Sequence, residues 1–265
     1  MELKDKRILL TGASGGIGQA IARRLDQQGA KLWLVGRNLQ KLQTLLDDLA
    51  GDHAIIIADL NSQEGRETVV SSCEQQGLDL LINAVGVMDF QFYEQQDSGV
   101  IEQMLSTNLV SPMLLCQRVI PILQRQPEAA IVNIGSTFGS IGHPGFTAYC
   151  ASKFGLRGFT EALQRELADT GIKVSYLAPR ATQTELNSDV VRSLNAALGN
   201  NTDTPDQVAR ELMAILSSNQ KQRYMGWPEK FFVRLNSLFP GIVHNALVKN
   251  LPIVRQYAEQ KSLED

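Results

Sequence analysis

The chain has 265 residues, of which 43% are hydrophobic and 20% are charged, and its formal net charge is −3. These values are ordinary for a soluble globular protein, and the length allows one large α/β domain with a substantial core. The mixed charges argue against a nucleic-acid-binding protein, which usually has a basic face. The three cysteines are far apart and lack metal-ligand spacing, so we expect neither a disulfide framework nor a metal site.

The amino terminus reaches an apolar segment after a few charged residues and lacks the pattern of a signal peptide. No apolar run approaches the roughly 18 residues that a membrane-spanning helix needs. We therefore expect a cytoplasmic protein.

Short apolar segments rich in β-branched residues alternate with longer segments of helical periodicity. The predicted strands are 7–11, 31–36, 54–59, 78–86, 129–136, 172–179 and 222–226. The predicted helices are 17–28, 39–49, a segment through Val69 and Val70, 98–125, 147–169 and 205–217. This alternation predicts a doubly wound, Rossmann-like parallel sheet of about seven strands with helices on both faces. We expect a catalytic domain over 1–226 and a helical C-terminal extension over 227–265.

A glycine-rich turn, TGASGGIG at 11–18, joins the first predicted strand to the first predicted helix. Gly12 allows a tight turn, Gly16 lets the backbone approach a pyrophosphate, and Gly18 lets the helix pack closely on the strand. The free N–H groups of the helix terminus favour phosphate. Because the turn lies between a strand and a helix, it predicts a dinucleotide site rather than an ordinary glycine-rich loop.

The end of the second predicted strand bears on the choice of cofactor. An enzyme that uses NAD is expected to have an acidic residue there, whereas this chain has Arg37 and Asn38. No carboxylate would repel a 2′-phosphate, and the planar guanidinium of Arg37 can pair with one. We therefore favour NADP(H) over NAD(H), although Arg37 as an ordinary surface arginine is the alternative.

Tyr149 and Lys153 lie at the start of a predicted helix, and their i,i+4 spacing places them on one face. We expect the ammonium and an oxidised nicotinamide to lower the pKa of Tyr149, so that the tyrosine can exchange a proton with a carbonyl or an alcohol. Ser136 ends the fifth predicted strand and can hydrogen-bond the same substrate oxygen. Such a tyrosine–lysine pair is usually structural when it occurs alone. The functional interpretation depends on the other motifs that occur in the expected order along the chain.

In these residues the chain resembles the short-chain dehydrogenase/reductase family, in its subclass of about 250 residues. The matching features are TGASGGIG, Asp59-Leu60, Asn83-Ala84-Val85-Gly86, Asn108, Ser136 and Tyr149-x-x-x-Lys153, and the resemblance covers roughly 4–226. It implies that Tyr149 is the acid/base, that Ser136 positions the carbonyl, and that Asn108 holds a water that relays protons. Lys153 would bind the nicotinamide ribose and tune Tyr149.

The resemblance also implies a larger cofactor site. Asp59 would touch the adenine, residues 83–86 would line the adenosine side, and Thr184 has the position usual for a carboxamide contact. The expected cofactor-binding residues are Gly12, Ser14, Gly16, Ile17, Gly18, Arg37, Asn38, Asp59, Leu60, Asn83, Ala84, Val85, Gly86, Tyr149, Lys153, Pro179, Thr182 and Thr184. The expected substrate-binding residues are Ser136, Phe138, His143, Tyr149 and Arg180.

Two positions depart from the family pattern. Val85 is bulkier than the usual alanine, and we expect it to be tolerated. Arg180 replaces a flexible glycine beside the nicotinamide. It can restrict the loop, meet an anionic substrate group, or remain an exposed arginine.

The substrate loop is expected at about 182–204. Its apolar residues at helical spacing predict either an amphipathic lid or a helix packed permanently on the core; they are Leu186, Val190, Val191, Leu194 and Leu198.

The extension predicts a helical hairpin, with Pro240-Gly241 between its two segments. The first segment has Phe231, Phe232, Leu235, Leu238 and Phe239 on one face, and the second has Ile242, Val243, Ala246 and Leu247, followed by Ile253 and Val254. Three uses compete: docking on its own domain or a partner subunit, covering the active site, and peripheral membrane contact through 228–257.

The favoured function is NADP(H)-dependent hydride transfer, as a ketone or aldehyde reductase on a lipophilic substrate, by a homodimer or homotetramer. A non-catalytic NADP(H)-binding sensor or scaffold is the alternative from another class. This alternative is disfavoured because a non-catalytic relative would be free to lose the residues that are present here, namely Asn108, Ser136, Tyr149 and Lys153. An isomerase or dehydratase is a third hypothesis, and the short substrate region disfavours it.

Overall fold

The structure, a computed structural model, describes residues 1–264, with side chains described through Lys261. Residue 265, the last of the expected extension, lies outside the described residues. Seven parallel strands form one sheet in the order β3-β2-β1-β4-β5-β6-β7. The strands are β1 (Arg7–Thr11), β2 (Lys31–Gly36), β3 (Ala54–Ile57), β4 (Leu80–Asn83), β5 (Ala129–Ile134), β6 (Ile172–Ala178) and β7 (Gln222–Tyr224).

The helices connect successive strands or follow the last one. They are α1 (Gly16–Gln27), α2 (Leu39–Asp47), α3 (Gln63–Gln76), α4 (Ser98–Leu105), α5 (Ser111–Leu123), α6 (Thr147–Glu166), α7 (Asp189–Ala197), α8 (Pro205–Leu216), α9 (Glu229–Leu238), α10 (Pro240–Lys249) and α11 (Leu251–Glu264).

Hydrophobic cores lie on both faces of the sheet. One core joins the strands to α1, α2 and α8, with Ile21 and Leu212 buried in it. The other joins them to α3, α5 and α6, with Val69 and Leu115 buried. This arrangement confirms the predicted doubly wound, Rossmann-like fold. The strand order reverses between β1 and β4, where ligands of such sheets bind beyond the carboxyl ends.

The expected continuous helix over 98–125 was wrong in one respect. Between α4 and α5, residues Ser106–Val110 form a π-helical turn. Pro112, near the start of α5, has no N–H to donate, so regular α-helical hydrogen bonding cannot continue through this point. The wider turn contains Asn108, and such turns often occur at functional positions.

The C-terminal extension contains three helices, not the two of the expected hairpin. The additional helix, α11, packs against α7, and Val254 and Ala258 are buried with Val190 and Leu194 in a third core that includes Tyr149. Lys261 pairs with Asp89, with 2.6 Å between Nζ and Oδ1. The extension is therefore integrated with the substrate side of the domain.

The apolar faces of α9 and α10 are mostly exposed. Val233 and Val243 are the buried residues of these two helices, whereas Phe231, Leu238 and Phe239 are open to solvent. Docking on its own domain, one of the uses weighed for the extension, is seen for α11, whereas these three side chains do not dock within the described chain. No described helix is both long and apolar enough to cross a membrane.

Candidate active site

The glycine turn leaves no room for side chains at two positions. Gly12 has a φ of +66°, and a Cβ there would lie 2.7 Å from the backbone nitrogen of Val85. A Cβ on Gly18 would lie 2.1 Å from the carbonyl oxygen of Gly12. The turn is therefore packed directly against the end of β4 and the start of α1.

The start of α1 is open to an anionic ligand. Gly15 is the N-cap residue, and no side chain caps the helix. Gly16 faces Thr184, whose Cγ2 would lie 2.9 Å from a Cβ at that position. The backbone cradle and the free N–H groups fit a pyrophosphate.

The end of β2 adjoins the glycine turn. A Cβ on Gly36 would lie 3.3 Å from the Oγ of Ser14, so the two segments meet. Arg37 is exposed and has no ion pair or hydrogen bond among the described residues, whereas the side chain of Asn38 caps α2 by accepting from the N–H of Lys41. The guanidinium is thus available to an anion beside the turn.

The residues expected to contact the adenosine half differ in orientation. Asp59 is exposed, and its Oδ1 accepts the N–H of Asn61 at 3.0 Å, while Leu60 is buried. Asn83 is buried in the sheet and donates to Asn133 at 2.8 Å. Its side chain faces the interior, so it supports the strand end, whereas Ala84, Val85 and Gly86 line the cavity described below.

Ser136, Tyr149 and Lys153 come together at the end of β5. All three side chains line the same cavity, and the Nζ of Lys153 lies 5.8 Å from the centroid of the Tyr149 ring. The same Nζ donates to the carbonyl of Ile134 at 3.3 Å. Helix α6 begins at Thr147, so its first turns present both side chains to the cavity.

Burial governs the protonation of this pair. It raises the pKa of Tyr149 to about 12, and the hydrogen bond from Ser136 acts in the opposite direction. Burial also lowers the pKa of Lys153 to about 8. The expected lowering of the tyrosine pKa is therefore not found in the protein alone, since loss of solvent disfavours the charged form of each group.

Asn108 holds the chain segment that follows β4. Its Oδ1 accepts from the N–H of Val87, and its Nδ2 donates to the carbonyl of the same residue, both at 2.8 Å. The Nδ2 also donates to the Oγ of Ser152 at 3.0 Å. Asn108 lies outside the lining of the cavity, so its observed side-chain contacts are those of a positioning residue.

Tyr176 is a residue that the sequence analysis missed. It is fully buried in β6, and its hydroxyl both accepts from the N–H and donates to the carbonyl of Ser136, each at 3.2 Å. Cβ atoms on Gly135 and Gly139 would lie 2.0 Å and 2.4 Å from Tyr176 atoms. These two glycines make room for the ring, and the ring supports the turn that carries Ser136.

Arg180 is neither an exposed arginine nor a free anion-binding group. Its Nη2 donates to Asp203 at 2.8 Å, and its Nη1 donates to Glu229 at 3.1 Å. These contacts raise the pKa of Arg180, with the hydrogen bond to Asp203 as the largest cause. The guanidinium ties the loop after β6 to the end of the substrate loop and to the start of α9, so the loop-restricting interpretation is the one the structure favours. No local sequence signal indicates Asp203 or Glu229 as its partners.

One cavity of about 590 Å³ is lined by residues of the glycine turn, of the ends of β4 and β5, of α6 and of the segments that follow β6 and β7. We define its floor as the lining residues of 12–18, 84–88 and 134–153, and its roof as those of 184–201 and 229–250. The floor includes Gly12, Gly16, Ile17, Gly18, Ser136, Phe138, His143, Tyr149 and Lys153; Pro179, Arg180 and Thr182 lie between floor and roof. Ser14, Arg37, Asn38, Asp59 and Leu60 lie outside the cavity, toward the side of the glycine turn that opens to solvent.

The roof consists of the substrate loop and the C-terminal helices. Thr182 pairs with Asp203 at the base of the loop, and Val191 of α7 is buried. The roof residues are Thr184, Glu185, Leu186, Asn187, Val191, Asn195, Leu198, Asn200, Asn201, Glu229, Phe232, Ile242, Val243, Ala246, Leu247 and Asn250. Of the three uses weighed for the extension, this geometry supports two, since α11 docks on its own domain and residues of α9 and α10 cover the active site.

His143 is held rigidly at the edge of the floor. Its ring stacks on Phe138 with 5.1 Å between centroids, and its Nδ1 lies 2.9 Å from the carbonyl oxygen of Pro144. Burial lowers its pKa, so the ring is neutral near pH 7. No cluster of metal-ligating side chains occurs in the described part of the chain.

Comparisons with known proteins point to one family. The family model described as short chain dehydrogenase matches residues 6–195. A 3-oxoacyl-[acyl-carrier-protein] reductase from Bos taurus is 33% identical over 219 residues, which are 81% of this chain and 92% of that protein. Nodulation protein G from a Rhizobium species is 32% identical over 225 residues, with 83% and 92% coverage.

A solved structure is also similar. A dehydrogenase/reductase from Sinorhizobium meliloti 1021 has a TM-score of 0.76 and 26% sequence identity, and the match covers 84% of this chain and 95% of that chain. Proteins of this family are oxidoreductases that use a nicotinamide cofactor and act on CH–OH or C=O groups of small molecules. On the sequence match, the sheet and the relatives together, the chain belongs to the short-chain dehydrogenase/reductase family and is an enzyme of that class.

Proposed function

We propose that this enzyme is an NADP(H)-dependent reductase of a ketone or aldehyde in a lipophilic substrate. The observation that carries the proposal is the single cavity that runs from the glycine turn, past Tyr149 and Lys153, to the apolar residues of the roof. A dinucleotide lying along the floor would bring its reactive end to Tyr149, and an apolar substrate would enter from the other side.

The side chains have distinct tasks in this reaction. A bound nicotinamide supplies the hydride. The high pKa of Tyr149 keeps its hydroxyl protonated, so it can give a proton to the carbonyl oxygen, and Ser136 can hydrogen-bond that same oxygen. Lys153 can bind the ribose, and its positive charge would favour the tyrosinate that forms when the proton leaves.

The proton-donor role can be tested with Tyr149→Phe, which removes only the hydroxyl. We expect a loss of about 10²- to 10⁴-fold in kcat, with NADPH binding retained, because general acid catalysis contributes on that order. NADPH oxidation with ketone and aldehyde substrates measures turnover, and NADPH fluorescence measures binding. Tyr93→Phe, at an exposed position outside the cavity, is the matched control. Unchanged turnover in Tyr149→Phe would contradict the mechanism and favour a different proton donor.

The preference for NADP(H) rests on Arg37 and the absence of a carboxylate beside it. Arg37→Asp should weaken NADPH binding about tenfold or more and weaken NADH binding much less, since a charge-assisted contact to the 2′-phosphate is replaced by repulsion. Titration of both cofactors gives the ratio, and Arg118→Asp, at another exposed arginine, controls for net charge. An equal effect of Arg37→Asp on both cofactors would contradict the assignment.

We further propose a cytoplasmic homodimer or homotetramer. The oligomeric state is supported by three exposed apolar side chains on the π-helical turn, α5 and α6, namely Val110, Met113 and Phe154. Light scattering of wild type and Phe154→Asp is the test. A monomer in both cases would contradict it.

Peripheral contact with a lipid surface through 228–257 is a second candidate role of the extension. Leu238 and Phe239 are exposed on this segment, and Lys230, Arg234 and Lys249 are exposed with no ion pair among the described residues. Such a combination suits an interfacial helix. Flotation with anionic vesicles, comparing wild type with Leu238→Asp, tests it; negligible flotation of the wild type would end the idea.

A further inference from the structure

The outer end of the cavity is apolar and open. Leu186, Phe232 and Ile242 come from the substrate loop, α9 and α10, and all three line the cavity while remaining 38%, 40% and 57% exposed. A side chain that lines a cavity and is also open to solvent lies at its rim. Three separate segments therefore supply apolar side chains at the open edge of the cavity, and we call these three residues the apolar rim.

The charged groups of the roof are already paired. Arg180 and Glu229 bind each other, with Asp203 as the second partner of the arginine, and Glu185 pairs with Lys41 at 2.8 Å. An ionic group on the substrate would compete with Asp203 and Glu229 for the guanidinium of Arg180, of which the buried Nε is the atom without a partner among the described residues. The roof is thus suited to an uncharged portion of a ligand, because unpaired charges in an apolar site are costly.

The interior between the rim and Tyr149 is apolar as well. Val191 and Val243 are buried in the roof, and Phe146 is buried in the floor beside Tyr149. The cavity also contains polar side chains, but the amides of Asn187 and Asn195 donate to backbone carbonyls of the same region, so the apolar side chains remain available to a ligand between Tyr149 and the rim.

We propose that this passage binds a flexible alkyl or acyl chain of the substrate, which extends from the carbonyl at Tyr149 to the rim formed by Leu186, Phe232 and Ile242. The C-terminal helices then contribute to selecting substrates by the length of their alkyl or acyl chain. The inference rests on the proposed function for the position of the carbonyl. The part of the inference that concerns binding of the alkyl chain rests on the shape and lining of the cavity alone.

The test uses a series of 2-alkanones from 2-butanone to 2-decanone, each below its solubility limit, with the full-length enzyme and NADPH. We expect kcat/KM to rise by about threefold for each added methylene until the chain reaches the rim, since each buried methylene favours binding on that order. The corresponding 2-alkanols should raise the Tm of the enzyme with NADP⁺ in the same order of chain length. This second measurement requires no turnover.

A matched pair of variants locates the passage. Ile242→Asp should flatten both series while leaving the shortest ketone nearly unaffected, because the carboxylate disfavours a chain at the rim. Val248→Asp places the same charge on the same helix at a position 50% exposed and outside the cavity, and it should leave both series unchanged. Both positions are exposed, and circular dichroism verifies that each variant folds.

The outcomes separate this inference from the proposed function. Flat series in the wild type, with turnover of short ketones, would overturn the chain-binding passage and leave the reductase intact. A steep alkanol series without turnover of any ketone would support the passage and contradict the reductase. Equal effects of the two aspartate variants would overturn the passage, since they would reflect the exposed surface of α10 instead.

Discussion

The floor and the roof of the cavity are built in opposite ways. The floor is held by close backbone packing and by hydrogen bonds to buried groups, as at Gly18 and Ser136. The roof has exposed apolar side chains, packs on the domain through the buried residues of α7, and is tied to the loop after β6 by the ion-pair cluster around Arg180. The difference suggests a division of labour in which the floor fixes the reaction and the roof selects the substrate.

The largest effect is expected from Gly18→Ala in the floor. The new Cβ would lie 2.1 Å from the carbonyl oxygen of Gly12, and backbone atoms on both sides prevent relief. We expect NADPH affinity to fall at least 100-fold and the free energy of unfolding to fall by at least about 2 kcal/mol. Cofactor titration and urea denaturation measure these changes.

Gly158→Ala is the control for that substitution. Gly158 lies in α6, and a Cβ there would meet nothing within 4 Å. Alanine should stabilise the helix by about 0.5–1 kcal/mol and leave cofactor binding unchanged. Similar losses in both variants would contradict the claim that close packing of the turn forms the cofactor site.

Arg180→Met tests the link between roof and sheet. It leaves the carboxylates of Asp203 and Glu229 without their cation, and Asp203 is only 4% exposed. Because the arginine side chain is 15% exposed, we expect a loss of about 2 kcal/mol, below the value for a fully buried pair. Thermal unfolding measures it, and Arg192→Met, which breaks an exposed pair with Asp189, should change stability by no more than about 0.5 kcal/mol.

If the roof selects the substrate, Arg180→Met should also weaken the discrimination between long and short ketones more than it lowers turnover of short ones. An equal loss of kcat/KM for ketones of all chain lengths would show that Arg180 supports the reaction itself and not the selection of substrate. That result would contradict the division between floor and roof.

Tyr176→Phe sharpens the role of the floor. The ring remains, but the Ser136 backbone loses both of its bonds to the hydroxyl. We expect kcat to fall about tenfold with KM and NADPH affinity nearly constant, and stability to fall by about 1–2 kcal/mol. Steady-state kinetics separates kcat from KM, and Tyr257→Phe in α11 serves as the control. A normal kcat together with a lower free energy of unfolding would show that Tyr176 stabilises the fold and does not position Ser136 for the reaction.

The last prediction concerns the pH dependence of stability without cofactor. Lys153 has a pKa of about 8 in the folded protein and 10.5 ordinarily, so the unfolded chain holds more protons between these values. The contribution of Lys153 to the free energy of unfolding should therefore rise from about pH 8 to 10.5. Lys153→Met should flatten this rise in urea denaturation series. An unchanged slope would show that Lys153 is not desolvated by the floor.

Much of the floor was accessible from the sequence because its signals are local. The glycine pattern at 12–18 and the spacing of Tyr149 and Lys153 each lie within one turn or one helix. Long-range packing decided what the sequence left open: of the uses weighed for the extension, docking on its own domain is realised by α11, which fills the core beside α7, and not by the exposed apolar residues of α9.

The sequence by itself determined the alternating strands and helices, the turn that can cradle a phosphate, and the residue types for proton transfer, since short-range periodicity and backbone sterics dictate them. Only the tertiary structure decided how Tyr176 supports Ser136 and how Arg180 joins Asp203 and Glu229, because these partners are distant along the chain. It also decided that the extension forms the roof of the cavity. Periodicity shows that a helix has an apolar face, but neighbouring elements determine what that face covers.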